Sequence, residues 1–340
     1  MGSRATSDFD EASVVARFDH LVESGTVKYS SGLEKIYYND AGFEFEFRIT
    51  PALNSKPAAV ADNSELDGSG DSGAPGGRRQ DQPRGDGAEN GRGNQPEGCL
   101  PGGDIGVAGY ELGQTRGGTH ILSANKFCAY RPHLLLLTAD GNRRQFEALG
   151  NEDFEGATEV LGGLNGWFGP RGGDGGLGGG GEEEEGSQEY LVIFNGGRDA
   201  GCSRLHKHMQ IIPAPSAIPL WPDVGKEVPF RYLIHRFPDG VPGAEELEGK
   251  YREMLREAAG MVPGWEGGVE EDGNGMVVPH NVILGRRWIV VVPRRRAGIQ
   301  GADVNAAGLL GVVWAAKREV VQRWKELGGQ WVLGEVGVRK

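Results

Sequence analysis

Paired cysteines, long apolar runs and an excess of basic charge are all missing from this 340-residue sequence. Its three cysteines, Cys99, Cys128 and Cys202, lie far apart, and no C-x-x-C occurs. That excludes a thiolate zinc cage of the common spacings, gives no disulfide framework and suits a reducing compartment. No apolar run is long enough to span a bilayer. The opening MGSRATSDFDEAS is polar and soon acidic, with neither the apolar core of a signal peptide nor the acid-poor pattern of a transit peptide. The expectation is a cytoplasmic or nuclear protein with no membrane partner. The formal net charge of −12 excludes a general nucleic-acid binder, whose phosphate contacts need clustered Lys and Arg. It leaves room for a nucleotide site, because a pocket can be locally basic in an acidic protein.

Glycine, by contrast, is over-used, at 59 residues, and is concentrated in a few stretches. From about Asn63 to Gly103 the chain is Gly, Asp, Pro, Gln and Arg with no aromatic residue. Such a stretch cannot bury enough apolar surface to offset its ordering entropy, so disorder is expected there. Similar stretches run from Gly162 to Ser187, including GGLGGGGEEEEG, and from Gly264 to Gly275. Periodic segments flank all three, so they read as insertions at about 63–103, 162–187 and 264–275 in a single domain spanning 1–340.

Between them the patterns alternate. Ser7 followed by Asp10 suggests a capping box, with Val14, Phe18 and Leu21 at helical spacing and Gly25 as a stop. Phe43, Phe45, Phe47 and Ile49 alternate with Glu44, Glu46 and Arg48, as in a half-buried strand. THILSANKF with HLLLLT predicts a strand pair, YLVIFN and LHKHMQII two more strands, and NVILGRRWIVVVP a hairpin. Asn151 predicts the cap of a helix carrying Phe154, Ala157 and Leu161. Leu247, Tyr251, Leu255 and Ala258 mark another helix. Val313, Ala316, Val320, Trp324 and Leu327 mark a last one, stopped by Gly328 and Gly329. The mixture predicts an α+β fold with an antiparallel sheet and flanking helices.

The chemistry concentrates in Asn195–Gln210, NGGRDAGCSRLHKHMQ. In a strand, His206, His208 and Gln210 share one face, while Leu205, Lys207, Met209 and Ile211 take the other, mostly apolar one. Two imidazoles and an amide in a row build no core and need partners or a ligand. Gly196, Gly197 and Gly201 just upstream allow a tight turn that can aim N–H groups at an anion beside the Ser203 hydroxyl. A neutral imidazole is a competent nucleophile at phosphorus, so His208 is a candidate nucleophile, His206 an orienting group and Gln210 a contact to the reacting phosphate. An H-x-H pair also suits zinc, with His120, His133, His235, His280 or Cys202 to complete the site, and pattern alone leaves that alternative open. In most strands an H-x-H is structural.

Asn195-Gly196, Gly201, Ser203 and the run His206-Lys207-His208-Met209-Gln210 resemble the active-site segment of diadenosine tetraphosphate phosphorylases, or ATP adenylyltransferases, of the histidine-triad superfamily. Asn125-Lys126-Phe127 with His133-Leu134-Leu135-Leu136 and Thr138 is similar to that family's N-K-F and H-x-L-L-x-T segments. FRITPALNSKP, which places Lys56, HNVILGRRWIVVVPRR and VNAAGLLG resemble further segments in the same order. The loop departs from the family by reading GGRDAG where Pro and Ser are usual, and Gly285 stands where Thr is common. The resemblance implies a histidine-triad-like fold and cleavage of diadenosine tetraphosphate with phosphate to ADP and ATP, through a covalent AMP-histidine intermediate on His208. By matched position Gln210 contacts the phosphate, and Asn195, Gly201, Cys202, Ser203 and Arg204 line its loop. Asn125 and Lys126 lie at the nucleotide, Lys56 at the polyphosphate and Asn281 nearby. The implied partners are small nucleotides, namely diadenosine polyphosphate, ATP and ADP, together with phosphate. The resemblance implies no tightly bound cofactor, though a divalent cation such as Mg²⁺ can assist. Hexose-1-phosphate uridylyltransferases share the mechanism but carry Pro between the histidines, where this chain has Lys207. A non-catalytic nucleotide- or metal-binding protein is the third reading.

Overall fold

The computed structural model describes residues 9–55, 98–166, 188–266 and 276–340. Lys56, Ser7 and the greater part of the three Gly-rich stretches lie outside these. In chain order the elements are α1 (Glu11–Glu23), β1 (Glu34–Asp40), β2 (Phe43–Ile49), β3 (Glu111–Gln114), β4 (His120–Ala124), β5 (Leu134–Thr138), α2 (Asn151–Leu164), β6 (Tyr190–Gly196) and β7 (His208–Pro213). They continue with α3 (Trp221–Val224), β8 (Leu233–Arg236), α4 (Ala244–Met261), β9 (His280–Leu284), β10 (Trp288–Pro293), β11 (Gly298–Ile299) and β12 (Ala302–Asp303). The chain closes with α5 (Ala306–Leu309), β13 (Val312–Ala315), α6 (Arg318–Leu327) and α7 (Gly329–Val336).

The fold is the expected α+β type. Eight strands form one sheet in the order β3-β4-β5-β7-β6-β9-β10-β8, and every neighbouring pair is antiparallel. Strand alternation divides its side chains between two cores. Leu134, Leu136, Val192, Phe194, Met209 and Ile211 face a layer holding Phe18, Phe154, Leu247, Tyr251 and Leu255 of α1, α2 and α4. Leu191, Ile193, Ile212, Ile283 and Val290 face the other way, onto a small sheet β1-β2-β13 and α6–α7. There Phe45 and Phe47 of β2 meet Trp324 edge-on at 5.8 Å. Burial of such a ring contributes about 1.5–3 kcal/mol. Among the described residues no helix is long and apolar enough to cross a membrane.

Several expectations shift. The cap of α1 is Asp10, whose carboxylate accepts the Ser13 N–H at 3.0 Å. Gly150, not Asn151, precedes the first turn of α2, and Asp153 accepts the Gly150 N–H at 2.8 Å. Val313 is not helical. Val312–Ala315 is a strand, parallel to β2, and α6 starts only at Arg318. A short apolar run fits either element, and here the open edge of β2 decides. Gly328 ends α6 as expected, with φ of 84°, but Gly329 begins α7 rather than a loop. At the edges of the Gly-rich stretches Gly162–Leu164 complete α2, and Gly103 lies against the His206 ring just before β7.

Candidate active site

β7 lies between β5 and β6 at the middle of the large sheet, and the segment entering it carries the histidines. β6 ends at Gly196, and the chain then makes a 3-10 turn over Arg198–Ala200 before returning. Gly201 is required in this turn. Its φ is +88°, and a Cβ there would stand 2.6 Å from the Val304 carbonyl oxygen. The turn consumes part of its own donor set. The N–H groups of Ala200 and Cys202 bond to Gly197 O, and that of Gly201 to Arg198 O. The cradle for an anion is therefore narrower than expected. Ser203 keeps its N–H and its hydroxyl without a partner among the described residues, and it is half-buried. Cys202 is buried, and Arg204 reaches back to Ser203 O at 3.0 Å.

His208 is the first residue of β7 and half-buried. Its Nδ1 lies 2.8 Å from the backbone carbonyl of His206. A carbonyl only accepts, so Nδ1 carries the proton and the lone pair is on Nε2. Gln210 is two residues on, on the same face. Its Oε1 is 2.9 Å from His133 Nε2, and His133 Nδ1 accepts the Ala129 N–H at 3.3 Å. That assigns the donor role to His133 Nε2 and fixes which end of the Gln210 amide is the oxygen. Asn125 lies beside this corner: its Oδ1 accepts the Phe127 N–H, and its Nδ2 stands 3.2 Å from the same ring nitrogen, a contact of two donors in this tautomer and not a hydrogen bond. Lys126 is exposed, its ammonium over the rings of Tyr110 and Phe127 at 5.8 and 5.9 Å.

His206 does not share the strand as expected. It precedes β7, fully buried, with Nε2 at 2.8 Å from Thr138 O. Burial pushes its pKa below the ordinary value, so the ring stays neutral near pH 7. Its Nδ1 has no partner among the described residues and faces Gly103, where a Cβ would come within 2.8 Å. His206 thus orients His208 through its main-chain carbonyl rather than its ring.

Lys207 points to the opposite face, as alternation predicts, but that face is not simply apolar there. The buried ammonium donates to Asp153 Oδ2 at 2.7 Å and Ala148 O at 2.6 Å. Asp153 also meets His120 Nε2 at 3.0 Å. Burial alone would raise the Asp153 pKa; the Lys207 charge and the His120 hydrogen bond outweigh it and hold the carboxyl below the usual range.

Asn281, expected near the nucleotide, is fully buried and bonded within the protein. Its Nδ2 donates to Asn195 Oδ1 at 2.8 Å and Ala200 O at 2.9 Å, and Arg294 Nη1 takes its Oδ1 at 2.5 Å. Asn195 Oδ1 also accepts the Ala306 N–H at 2.9 Å, so both asparagines tie the turn to β9 and α5. Arg294 is fully buried and donates further to Val304 O at 2.8 Å. Burial lowers its pKa to about 9, which leaves it charged near neutrality.

Sequence reading missed His133 as the partner of Gln210, and it missed Asp104, Gln145 and Arg294. Asp104 accepts the N–H groups of Leu205 and His206, both at 2.9 Å. No local pattern marks these residues, which lie up to 102 positions from their partners. Among the described residues no group of three or more His, Cys, Asp or Glu is placed to hold a metal ion.

The fold is shared with an Ap4A phosphorylase of known structure. The crystal structure of yeast Ap4A phosphorylase Apa2 superposes with a TM-score of 0.67 at 19% identity, covering 97% of each chain. The same enzyme in complex with Ap4A superposes with a TM-score of 0.67, and in complex with AMP with 0.64. The ATP adenylyltransferase C-terminal domain model matches residues 226–339, and the Ap4A phosphorylase N-terminal domain model matches residues 186–236. Diadenosine 5',5'''-P1,P4-tetraphosphate phosphorylase 2 of Saccharomyces cerevisiae is 26% identical over 232 residues, 62% of this chain and 66% of that protein. Protein APA1 of the same yeast is 26% identical over 238 residues, 64% of this chain and 67% of that protein. The chain thus aligns with about two thirds of the length of these relatives. Two domain models of the Ap4A phosphorylase (ATP adenylyltransferase) family match overlapping parts of the chain, together residues 186–339, and the chain is similar to that family over this span.

Proposed function

We propose that this chain cleaves diadenosine tetraphosphate by phosphorolysis, giving ADP and ATP through AMP bound covalently to His208. The observation that carries the reading is the 2.8 Å contact from His208 Nδ1 to the His206 carbonyl, which sets the proton on Nδ1 and makes Nε2 the nucleophilic nitrogen. In the first step Nε2 attacks an α-phosphorus, the P–N bond forms, the bond to the bridging oxygen breaks and ATP leaves. The proton stays on Nδ1, donated to the His206 carbonyl, which supports the positive charge that the adenylylated ring acquires. In the second step a phosphate oxygen attacks the same phosphorus, the P–N bond breaks, and ADP leaves with His208 restored. Ser203 and the Gln210 amide nitrogen are the candidate donors to the non-bridging oxygens as charge redistributes. The nucleotide occupies the corner of Asn125 and His133, with Lys126 as an outer cation; Lys56 is a further candidate for the polyphosphate from the resemblance alone. A divalent cation such as Mg²⁺, arriving with the substrate, neutralises polyphosphate charge.

Incubation with diadenosine tetraphosphate in the absence of phosphate should release about one equivalent of ATP and leave AMP on the protein. The label should be acid-labile, base-stable and located on the peptide containing His208. AMP released to water at one rate with or without phosphate, and no trapped label, would replace this reading with direct hydrolysis.

A further inference from the structure

The ladder between β6 and β7 stops early. Its register pairs Tyr190 with Pro213 and Ile193 with Gln210. Continued by two residues, it would set Asn195 opposite His208 and let their main chains bond directly. They do not. The Gln145 side chain occupies the gap, fully buried and 63 residues away from His208 in sequence. Its Oε1 accepts the His208 N–H at 2.7 Å. Its Nε2 donates to His208 O at 3.0 Å and to Asn195 O at 3.1 Å. A primary amide offers an acceptor and two donors side by side, as a strand edge does. Gln145 therefore acts as one rung of β-sheet inserted between two strands.

The insertion has two effects at the place where chemistry is expected. It holds the strands apart where the chain leaves β6 for the glycine turn. It also fixes the N–H and C=O of His208, while Asp104 fixes the N–H of His206 two residues before. The contact from His208 Nδ1 to His206 O is clamped at both ends. The main chain of Gln145 adds to this, with its N–H bonded to Leu205 O at 2.8 Å and its C=O accepting the Gly197 N–H at 3.0 Å.

We infer that Gln145 is the positioning residue for the nucleophile, setting the backbone and the Nδ1–H tautomer of His208 without touching substrate. The inference rests on the assignment of His208 above. Gln145→Met keeps the volume and removes all three side-chain hydrogen bonds. Gln145→Glu keeps the acceptor for His208 N–H but sets an oxygen against two carbonyls. In both, the single-turnover rate of AMP labelling should fall about 10²-fold, because small misplacements of a reacting group have effects of that size. KM should stay within about threefold, and the final label stoichiometry should be unchanged. The imidazole ¹⁵N shifts of His208, which in the wild type should report Nδ1–H, should move toward a tautomer mixture. A purely structural Gln145 would lower the melting temperature and leave the labelling rate and the ¹⁵N shifts as they were. Hydrogen exchange on the unmodified chain gives a decision even if both variants fail to fold. The His208 amide should be protected and the Ser203 amide not. Equal, fast exchange of the two overturns the inference. If the wild type never labels with AMP, the catalytic assignment fails; the tautomer shifts and amide protection then still test the positioning of His208.

Discussion

Replacing Lys207 by Met tests whether the strand carrying the histidines is anchored from behind by charge. The Met side chain nearly matches the Lys stem in length, so the cavity term is small. What is lost is the ammonium, with its bonds to Asp153 at 2.7 Å and Ala148 O at 2.6 Å. Both partners are buried, with side-chain exposures of 1% for Lys207 and 7% for Asp153. Removing one member of a buried pair leaves the other uncompensated, which typically costs about 3–5 kcal/mol. Asp153 keeps His120 and the Gly150 N–H, so the lower end, about 3 kcal/mol, is expected. That is a large part of a total stability of about 5–15 kcal/mol. The pH dependence supplies a second signature. In the wild type the Asp153 pKa is depressed, so its contribution is present above the unfolded carboxylate value and lost as pH falls through the folded one. In Lys207→Met the desolvation by burial is no longer outweighed and the folded pKa rises. The folded state then binds more protons than the unfolded one, and the variant regains stability as pH falls through the carboxylate's raised value. Urea unfolding at a series of pH values measures both. A loss below about 1 kcal/mol at pH 7, with the wild-type pH slope, would refute the reasoning, because such a loss is no more than an exposed pair gives.

Other outcomes follow from single contacts. His208→Asn should abolish AMP labelling and nearly all turnover, since an amide nitrogen is no nucleophile, whereas His206→Asn should retain part of both because the orienting atom is its main-chain oxygen; equal losses would contradict that division. Gly201→Ala should lower stability by about 1–2 kcal/mol from the left-handed backbone alone, with more from the approach to Val304 O, and should weaken binding of AMP more than of adenosine in calorimetry. Replacing Ser64–Gly93 and Gly172–Gly181 with short Gly/Ser linkers should leave turnover nearly intact, on the strength of their composition; a chain that no longer folds would show that composition misled.

The local patterns in the sequence were enough to determine the elements and the faces of β7. Phe43 to Ile49, Tyr190 to Gly196 and Leu247 to Ala258 became the expected strands and helix, because side-chain period is a property of neighbouring residues. The same period put His208 and Gln210 on one face, with Lys207, Met209 and Ile211 on the other. Only the tertiary structure decided what those side chains meet. Lys207 found Asp153, Gln210 found His133, and Gln145 and Asp104 reached the backbone around His208 across 63 and 102 residues. It also turned Val312–Ala315 from the start of a helix into the edge of a sheet. Hydrogen bonds over such separations leave no periodic trace. They depend on which strands are neighbours, and that is settled when the two cores on either face of the sheet are packed.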